Sequence, residues 1–256
     1  AYEIPKRDWS SDVCSSDLFR SLAGTHALGI FGGSEDHTAI LTCRPDTLSA
    51  YRFMPVEPAG DAAMPPNWRF VIASSGVVAD KAGSVKDAYN RAALGAEAIV
   101  SKWNRLTGQS CVSLAAALAA SAQEEGPIRD LMNPRLEHFI AEDARVPEAL
   151  DAFRRADHAR VGELARRSQA DAEELLQNQI PETAALVALA REHGAFAASS
   201  FGAGFGGAVW ALAPAHEAEA FGRRWLEAYQ AKYAAGQSRW FSARPAPALI
   251  EVAPAI

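Results

Sequence analysis

The sequence has little cysteine, no cluster of basic residues and no long hydrophobic run. Three cysteines in 256 residues are too few for the disulfide framework of a small secreted protein, and they favour reduced thiols and a cytoplasmic location. The formal net charge is −6. Without a basic block we expect neither nucleic acid nor an anionic membrane among the partners. No apolar run reaches the roughly 18 residues of a membrane-spanning helix.

One segment, Asp8–Leu18 (DWSSDVCSSDL), differs in composition from the residues on both sides. Its aspartates and its cysteine lack the spacing of calcium or zinc ligands, so we predict no metal site there. A polar linker fits the composition. The string also equals, residue for residue, the translation of a common sequencing-library adapter. We therefore expect residues 1–18 to be a non-native N-terminus and leave them out of the functional reasoning.

The rest of the chain alternates between helical and strand patterns. Strands are predicted from Leu48, from Trp68, on both sides of a glycine-rich loop and in APALIEVAP, whereas EPAGDAAMPPN is predicted to be a loop. Helices are predicted at Phe19–Ala27, at Asp87 to about Leu106, at Cys111–Ala122, from Asn133–Pro134, from Pro147, from Pro181 and at Glu217–Ala235. This order predicts an α+β fold with helices packed on a small antiparallel sheet.

The glycine loop FGAGFGG, Phe201 to Gly207, satisfies the G-x-G-x-x-G pattern of dinucleotide-binding proteins. That fingerprint requires a helix after the loop. Here the short apolar run AVWALAP follows, which predicts a strand, so dinucleotide binding is disfavoured. The glycines indicate either a turn with positive φ or the close approach of another segment or a ligand. A purely structural hairpin also fits.

Four segments occur in an order that resembles the later part of galactokinases in the GHMP kinase superfamily. They are GIFGGSEDHTAIL, FVIASSGVVADK with DAYNRA, RLEHFIAEDARV and SFGAGFGGAVWAL. The resemblance covers nearly everything from Phe19 onward. It implies that residues 19–80 are a remnant of the N-terminal domain carrying the catalytic aspartate turn. Residues 81–256 would then form the ferredoxin-like C-terminal domain.

The resemblance also implies roles for single residues. Asp36 matches the catalytic aspartate, which orients a sugar hydroxyl and accepts its proton; from the residues alone it reads as a helix cap. Gly33 matches a glycine whose backbone lies against the sugar, and Tyr89 matches a tyrosine that hydrogen-bonds a sugar hydroxyl. Lys81 is a candidate phosphate contact, although a solvated lysine is the commoner interpretation. The glycines placed beside the phosphate site are Gly202, Gly204, Gly206 and Gly207.

The implied activity is the phosphorylation of a monosaccharide at its anomeric hydroxyl, with ATP and Mg²⁺ as cofactors and galactose or a related sugar as substrate. The first and second GHMP motifs are absent from the sequence, so we expect these residues alone to be inactive. The lead-in to the glycine loop is Ser199–Ser200–Phe201 in place of a basic residue, Met and Thr, which leaves the identity of the sugar open. Two alternatives remain: a galactokinase-like sugar-binding regulator without turnover, and a GHMP kinase for another small alcohol.

Overall fold

The structure is a computed structural model that describes residues 35–52, 55–79, 86–122, 128, 130–202, 204–233 and 237–249. Its helices are α1 (Glu35–Thr42), α2 (Lys86–Thr107), α3 (Leu114–Ser121), α4 (Pro134–Arg154), α5 (His158–Asp171), α6 (Pro181–Glu192) and α7 (Ala218–Lys232). Its strands are β1 (Thr47–Arg52), β2 (Glu57–Ala63), β3 (Trp68–Ser74), β4 (Ala197–Ser200), β5 (Ala208–Pro214) and β6 (Trp240–Ala243). A π-helical turn, Ala172–Leu176, continues α5. The predicted helix at Phe19–Ala27 and the segment Asp8–Leu18 lie outside the described residues.

A four-stranded antiparallel sheet in the order β4-β5-β3-β6 organises the fold. β3 pairs with β5 from Trp68↔Pro214 to Ser74↔Ala208 and with β6 on its other side. The predicted α+β class with a small antiparallel sheet is therefore confirmed. Residues on both sides of position 80 contribute to this one sheet, and the division into domains at 80–81 stays a prediction.

The sheet is covered on both faces, and side chains alternate between the two faces along each strand. On one face, α6 and α7 pack over the inward side chains of β3 and β5, including Val71 and Val209. Trp225 is fully buried there, and its indole Nε1 donates to the Leu186 carbonyl at 2.9 Å. On the other face, α4 and α5 pack over Trp68 and Leu212. This explains why β3 and β5 read as continuous apolar runs in the sequence.

Helix starts follow the sequence signals except at one proline. Asn133 caps α4, with its side-chain oxygen accepting from the Leu136 amide at 3.0 Å, and Pro181 is the first residue of α6; both starts are confirmed. The predicted start at Pro147 is wrong, because this proline lies inside α4. Packing of α4 against its neighbours outweighs the loss of one backbone hydrogen bond.

One loop prediction is wrong, and one strand prediction is tested only in part. The segment predicted as a loop, EPAGDAAMPPN, contains β2, which pairs antiparallel with β1. Most β2 side chains are exposed, so its sequence lacks the apolar alternation that predicts a strand. The last described strand is β6; of the predicted strand APALIEVAP, residues 246–249 are not in a strand, and residues 250–254 lie outside the described residues. Pro245 and Pro247 follow β6, and proline cannot donate to a strand ladder.

The residues after β6 still hold the hairpin β1–β2 to the sheet. The Arg244 guanidinium donates to the carbonyl of Trp68 at 3.0 Å and to that of Met64 at 3.2 Å. It also contacts the Asp46 carboxylate at 2.5 Å. The next residues reach α1, since the Leu249 amide donates to the Ile40 carbonyl at 2.8 Å. Within the described residues, no helix is both long and apolar enough to cross a membrane.

We expect Leu186→Ala to destabilise the protein strongly. Leu186 is 0% exposed at the contact between α6 and α7, and truncation of a buried leucine costs about 2–5 kcal/mol. Leu106→Ala is the matched control, since Leu106 is 54% exposed at the end of α2 and should change stability by no more than about 0.5 kcal/mol. Urea unfolding of both variants measures the difference. Equal midpoints would contradict the described core.

We expect Tyr229 to make stability fall at alkaline pH. Tyr229 is fully buried, and its hydroxyl donates to the Ser75 carbonyl at 2.8 Å. Burial raises the pKa of Tyr229 to about 12 from an ordinary value of 10.0. The unfolded chain therefore loses this proton first as the pH rises. The contribution of the Tyr229 hydroxyl to the free energy of unfolding is complete below about pH 10 and shrinks as the pH rises towards 12.

The measurement is the stability difference between wild type and Tyr229→Phe in urea at several pH values. This difference should narrow above about pH 10, because the variant has no hydroxyl to titrate. Tyr51→Phe, on the half-exposed strand β1, serves as the control for general alkaline effects. A difference that stays constant up to the highest pH at which wild type folds would show that the Tyr229 pKa is not raised.

Candidate functional site

The glycine loop, Phe201 to Gly207, connects β4 to β5 and has an unusual backbone; Ala203 within it lies outside the described residues. Its glycines Gly202, Gly204, Gly206 and Gly207 have φ values of +56°, +78°, +133° and +84°. Glycine adopts such values without the steric penalty of other residues. The element before the loop and the element after it are paired antiparallel strands. The prediction of a strand, a glycine loop and a second strand is confirmed.

One side of the glycine loop lies against the backbone of Asn178. The Phe205 amide donates to the Asn178 carbonyl oxygen at 2.6 Å. A Cβ atom on Gly204 would lie 2.0 Å from that same oxygen, so no other residue fits at position 204 without moving the backbone. Asn178 follows the π-helical turn and Gln177, which has a φ of +52°. These local conformations aim the Asn178 carbonyl at the loop.

The other side of the glycine loop lies against the residues that follow β3. The Gly207 amide donates to the Val77 carbonyl at 2.8 Å. In return, the Ser75 amide and hydroxyl donate to the Gly207 carbonyl at 2.9 and 2.8 Å. A Cβ atom on Gly206 would lie 2.9 Å from the Val77 oxygen. Because Tyr229 binds the Ser75 carbonyl, this side of the loop is tied to the core under α7.

The entry to the loop is held by a buried glutamine. Gln169, in α5, is 2% exposed. Its Oε1 accepts from the Ser199 hydroxyl at 3.1 Å and from the Ser200 amide at 2.9 Å. Its Nε2 donates to Glu173 at 2.7 Å. The last two residues of β4 are therefore fixed by α5 before the chain enters the loop.

At Gly202 the loop backbone is exposed and left available for a ligand, whereas Gly204 and Gly206 are buried. The amides of Gly202, Gly204 and Gly206 have no hydrogen-bond partner within the described residues. No described atom lies within 4 Å of a methyl group placed on Gly202 or Gly207. Amide N–H groups in a curved backbone of this kind bind the oxygens of anions such as phosphate. In the part of the chain that the structure describes, no group of three or more His, Cys, Asp or Glu side chains could hold a metal ion.

The predicted site residues divide into two groups. The structure brings Gly202, Gly204, Gly206 and Gly207 together in the loop described above. Asp36 is the second residue of α1, so a helix does start at the predicted turn, and Tyr89 is in the first turn of α2. The side chains of Asp36 and Tyr89 lie outside the described part of the structure, as do Gly33 and Lys81. Their roles stay predictions.

Sequence reasoning missed the residues that hold the loop. Ser75 and Asn178 act mainly through backbone groups, which leave no trace in the pattern of side chains. Gln169 did have a signal: it lies four and eight residues after Ala165 and Val161, both of which are buried, and so it is on the apolar stripe of α5. A polar residue on such a stripe requires a hydrogen-bonding partner in the core.

Comparison with known proteins agrees with this geometry. Residues 149–231, from the second half of α4 into α7, match the family model described as GHMP kinases C terminal. This segment contains the whole glycine loop and both Gln169 and Asn178. A galactokinase from Pyrococcus furiosus is 31% identical over 120 residues, which is 47% of this chain and 34% of that protein.

A solved structure extends the likeness over most of the chain. The crystal structure of Lactococcus lactis galactokinase complexed with galactose matches with a TM-score of 0.73 and 20% identity, covering 88% of this chain and 57% of that one. At this identity the likeness shows a shared fold. The chain thus spans about a third of the matched Pyrococcus protein and little more than half of the Lactococcus one. We conclude that residues 149–231 match a GHMP kinase C-terminal domain, and that the chain is similar to galactokinases in sequence over 120 residues and in fold over most of its length.

Proposed function

We propose that this chain is the C-terminal part of an ATP-dependent kinase that phosphorylates a monosaccharide, galactose or a related sugar, at its anomeric hydroxyl. The observation that carries the proposal is the glycine loop, in which the exposed Gly202 has open space beside it and an amide without a partner among the described residues. The names of the two matched proteins support a sugar as the substrate.

The chemistry suits a loop of this kind. Phosphoryl transfer proceeds through a loose transition state, so the protein contributes mainly by positioning the two substrates and by stabilising negative charge on the phosphates. Backbone amides that are fixed in advance do this without reorganising during the reaction. The contacts of the loop with Asn178, Val77 and Ser75 provide this rigidity. Mg²⁺ would accompany the nucleotide and neutralise phosphate charge, and we assign no residue of this chain to it.

Asp36 supplies the second part of the proposed mechanism. Its position in the first turn of α1 favours the ionised carboxylate, since the positive end of the helix dipole lies there. The carboxylate would accept a hydrogen bond from the anomeric hydroxyl, orient it towards the γ-phosphate and take up its proton. Tyr89 would hold a second sugar hydroxyl, and Lys81 would approach the phosphates.

We expect Gly202→Ala to weaken ATP binding. Gly202 has a φ of +56° and no described atom within 4 Å of an added methyl group, so the methyl would occupy the space proposed for a phosphate oxygen. The dissociation constant should rise about tenfold, the equivalent of one hydrogen bond to a charged group. An NMR titration of the ¹⁵N-labelled chain with ATP up to millimolar concentration measures it.

Gly108→Ala is the matched control for this experiment. Gly108 follows α2 with a φ of +71° and also has no described atom within 4 Å of an added methyl group, so both variants carry a similar backbone strain of about 1–2 kcal/mol. Only the loop variant should lose affinity for ATP. Equal affinities in the two variants, or no shift of any loop glycine signal in wild type, would contradict a phosphate site at the glycine loop. We expect no phosphate transfer by this chain alone.

We expect Asp36→Asn to lower kcat far more than it raises KM for the sugar, in the protein with its natural upstream sequence restored. The amide keeps the hydrogen bond and the volume but cannot accept the proton, and general-base assistance contributes about 10²–10⁴-fold. Tyr89→Phe should act mainly on KM, since it removes one hydrogen bond of about 0.5–1.5 kcal/mol. Steady-state kinetics, with circular dichroism as the folding control, separates the two effects.

Two results would overturn this assignment. If folded Asp36→Asn keeps kcat within about threefold of wild type, the carboxylate is not the base and serves only as a helix cap. If the wild-type protein binds galactose but never phosphorylates it, the protein is a sugar-binding regulator and the proposed kinase activity is wrong.

A further inference from the structure

Gln169 is a buried polar side chain, and two of its three hydrogen bonds are to the end of β4, where the glycine loop begins. It is 2% exposed and shares the apolar stripe of α5 with Val161 and Ala165. A buried amide without partners would cost about 1–3 kcal/mol. Gln169 avoids this cost with three hydrogen bonds, two accepted from Ser199 and Ser200 and one donated to Glu173.

The two accepted hydrogen bonds act on the end of an edge strand. Among the described strands β4 pairs only with β5, and Ser200 is its last residue. The Ser200 amide is the donor to Gln169, so this N–H faces α5 and not the strand partner. Gln169 thereby supplies the acceptor that a further strand would have supplied. It determines where β4 ends and the direction in which the chain leaves towards Gly202.

The same stretch of chain also contacts the far side of the glycine loop. From Gln169 the helix passes into the π-helical turn Ala172–Leu176, and after Gln177 the Asn178 carbonyl accepts from the Phe205 amide at 2.6 Å. π-Helical turns insert an extra residue into a helix and often occur at functional sites. Residues 169–178 therefore hold both the entry of the loop, through side-chain contacts, and its middle, through a backbone contact.

Two residues close to Gln169 in the sequence, Ser168 and Asp171, are anchored to α4. The Ser168 hydroxyl donates to Glu142 at 2.8 Å. Arg145 forms an ion pair with Asp171, and its own side chain is 14% exposed. These contacts leave Gln169 little freedom to turn away from β4. The packing of α4 against α5 therefore helps to fix the position of Gln169, and with it the entry of the glycine loop.

We infer that Gln169 is a positioning residue for phosphate binding: through Ser199 and Ser200 it sets the conformation of the glycine loop, and with it the direction of the Gly202 amide. The inference rests on the proposed function of the loop. It assigns no chemical step to Gln169, which acts on the ligand only through the loop backbone.

The test uses variants that remove the hydrogen bonds or reverse one of them. Gln169→Leu keeps the approximate volume and loses all three contacts. In the double variant Gln169→Glu with Glu173→Gln, the carboxylate can still accept from Ser199 and Ser200, while the new amide at 173 donates to it. Gln230→Leu is the control, since it breaks a glutamine–serine hydrogen bond of 3.0 Å with Ser238 at an exposed site on α7.

Three quantities are measured on the ¹⁵N-labelled chain: the hydrogen exchange of the Ser200 amide, the positions of the loop glycine signals, and the dissociation constant for ATP. In Gln169→Leu the Ser200 amide should exchange about tenfold faster, because it loses its acceptor. The dissociation constant for ATP should rise about fivefold, because the loop samples other conformations. The double variant should restore all three quantities, and Gln230→Leu should leave them unchanged. Rescue by the double variant separates positioning from a general loss of stability.

Unchanged Ser200 exchange and unchanged loop glycine signals in Gln169→Leu would overturn the inference, whatever happens to ATP binding. If wild type binds no ATP, the phosphate site is wrong, and the exchange and glycine signals still decide whether Gln169 sets the loop conformation. Should Gln169→Leu fail to fold, Ser199→Ala removes only one of the two donors. It should then shift the loop glycine signals without unfolding the chain, and unshifted signals would overturn the inference.

Discussion

The pairing of β3 with β5 is the constraint on which the site depends. It joins two strands that come from distant parts of the chain, and its register from Trp68↔Pro214 to Ser74↔Ala208 determines which residues meet at its end. Ser75 and Gly207 lie just beyond the last pair and are 132 positions apart in sequence. Because the strands are covered by helices on both faces, a shift of one residue would move every side chain to the wrong face. The hydrophobic core therefore fixes the strand register, and the register fixes which residues lie beside the glycine loop.

The middle of the glycine loop, at Gly204 and Phe205, is held by the backbone of Asn178. A methyl group on Gly204 would lie 2.0 Å from the Asn178 carbonyl oxygen, and one on Gly206 would lie 2.9 Å from the Val77 carbonyl oxygen. Glycine is required here by close approach as well as by positive φ. The result is a loop whose conformation is determined before any ligand arrives, which is the property that binding of a phosphate through amides demands.

Binding and stability are closely linked in this arrangement. Tyr229 belongs to the core under α7 and at the same time binds the Ser75 carbonyl, next to the loop. Gln169 is buried among the apolar side chains of α5 and at the same time holds the entry to the loop. A substitution at either position acts on the fold and on the loop together. Only readouts local to the loop, such as the exchange of the Ser200 amide, can separate the two effects.

The sequence by itself determined the elements with strong local signals. Several elements were predicted because each depends on neighbouring residues. They are the apolar runs of β3 and β5, the start of α4 at Asn133–Pro134, the start of α6 at Pro181, and the strands on both sides of the glycine loop. β2 and the uninterrupted α4 across Pro147 were decided by tertiary structure. In these cases pairing and packing with distant residues outweighed local preference. The same reason explains why the glycines were found from the sequence, whereas Asn178 was not: its contact is a backbone hydrogen bond that folding brings together, and it leaves no pattern along the chain. Gln169 did leave a signal, as a polar residue on the apolar stripe of α5, but its partners in β4 are set by the tertiary structure.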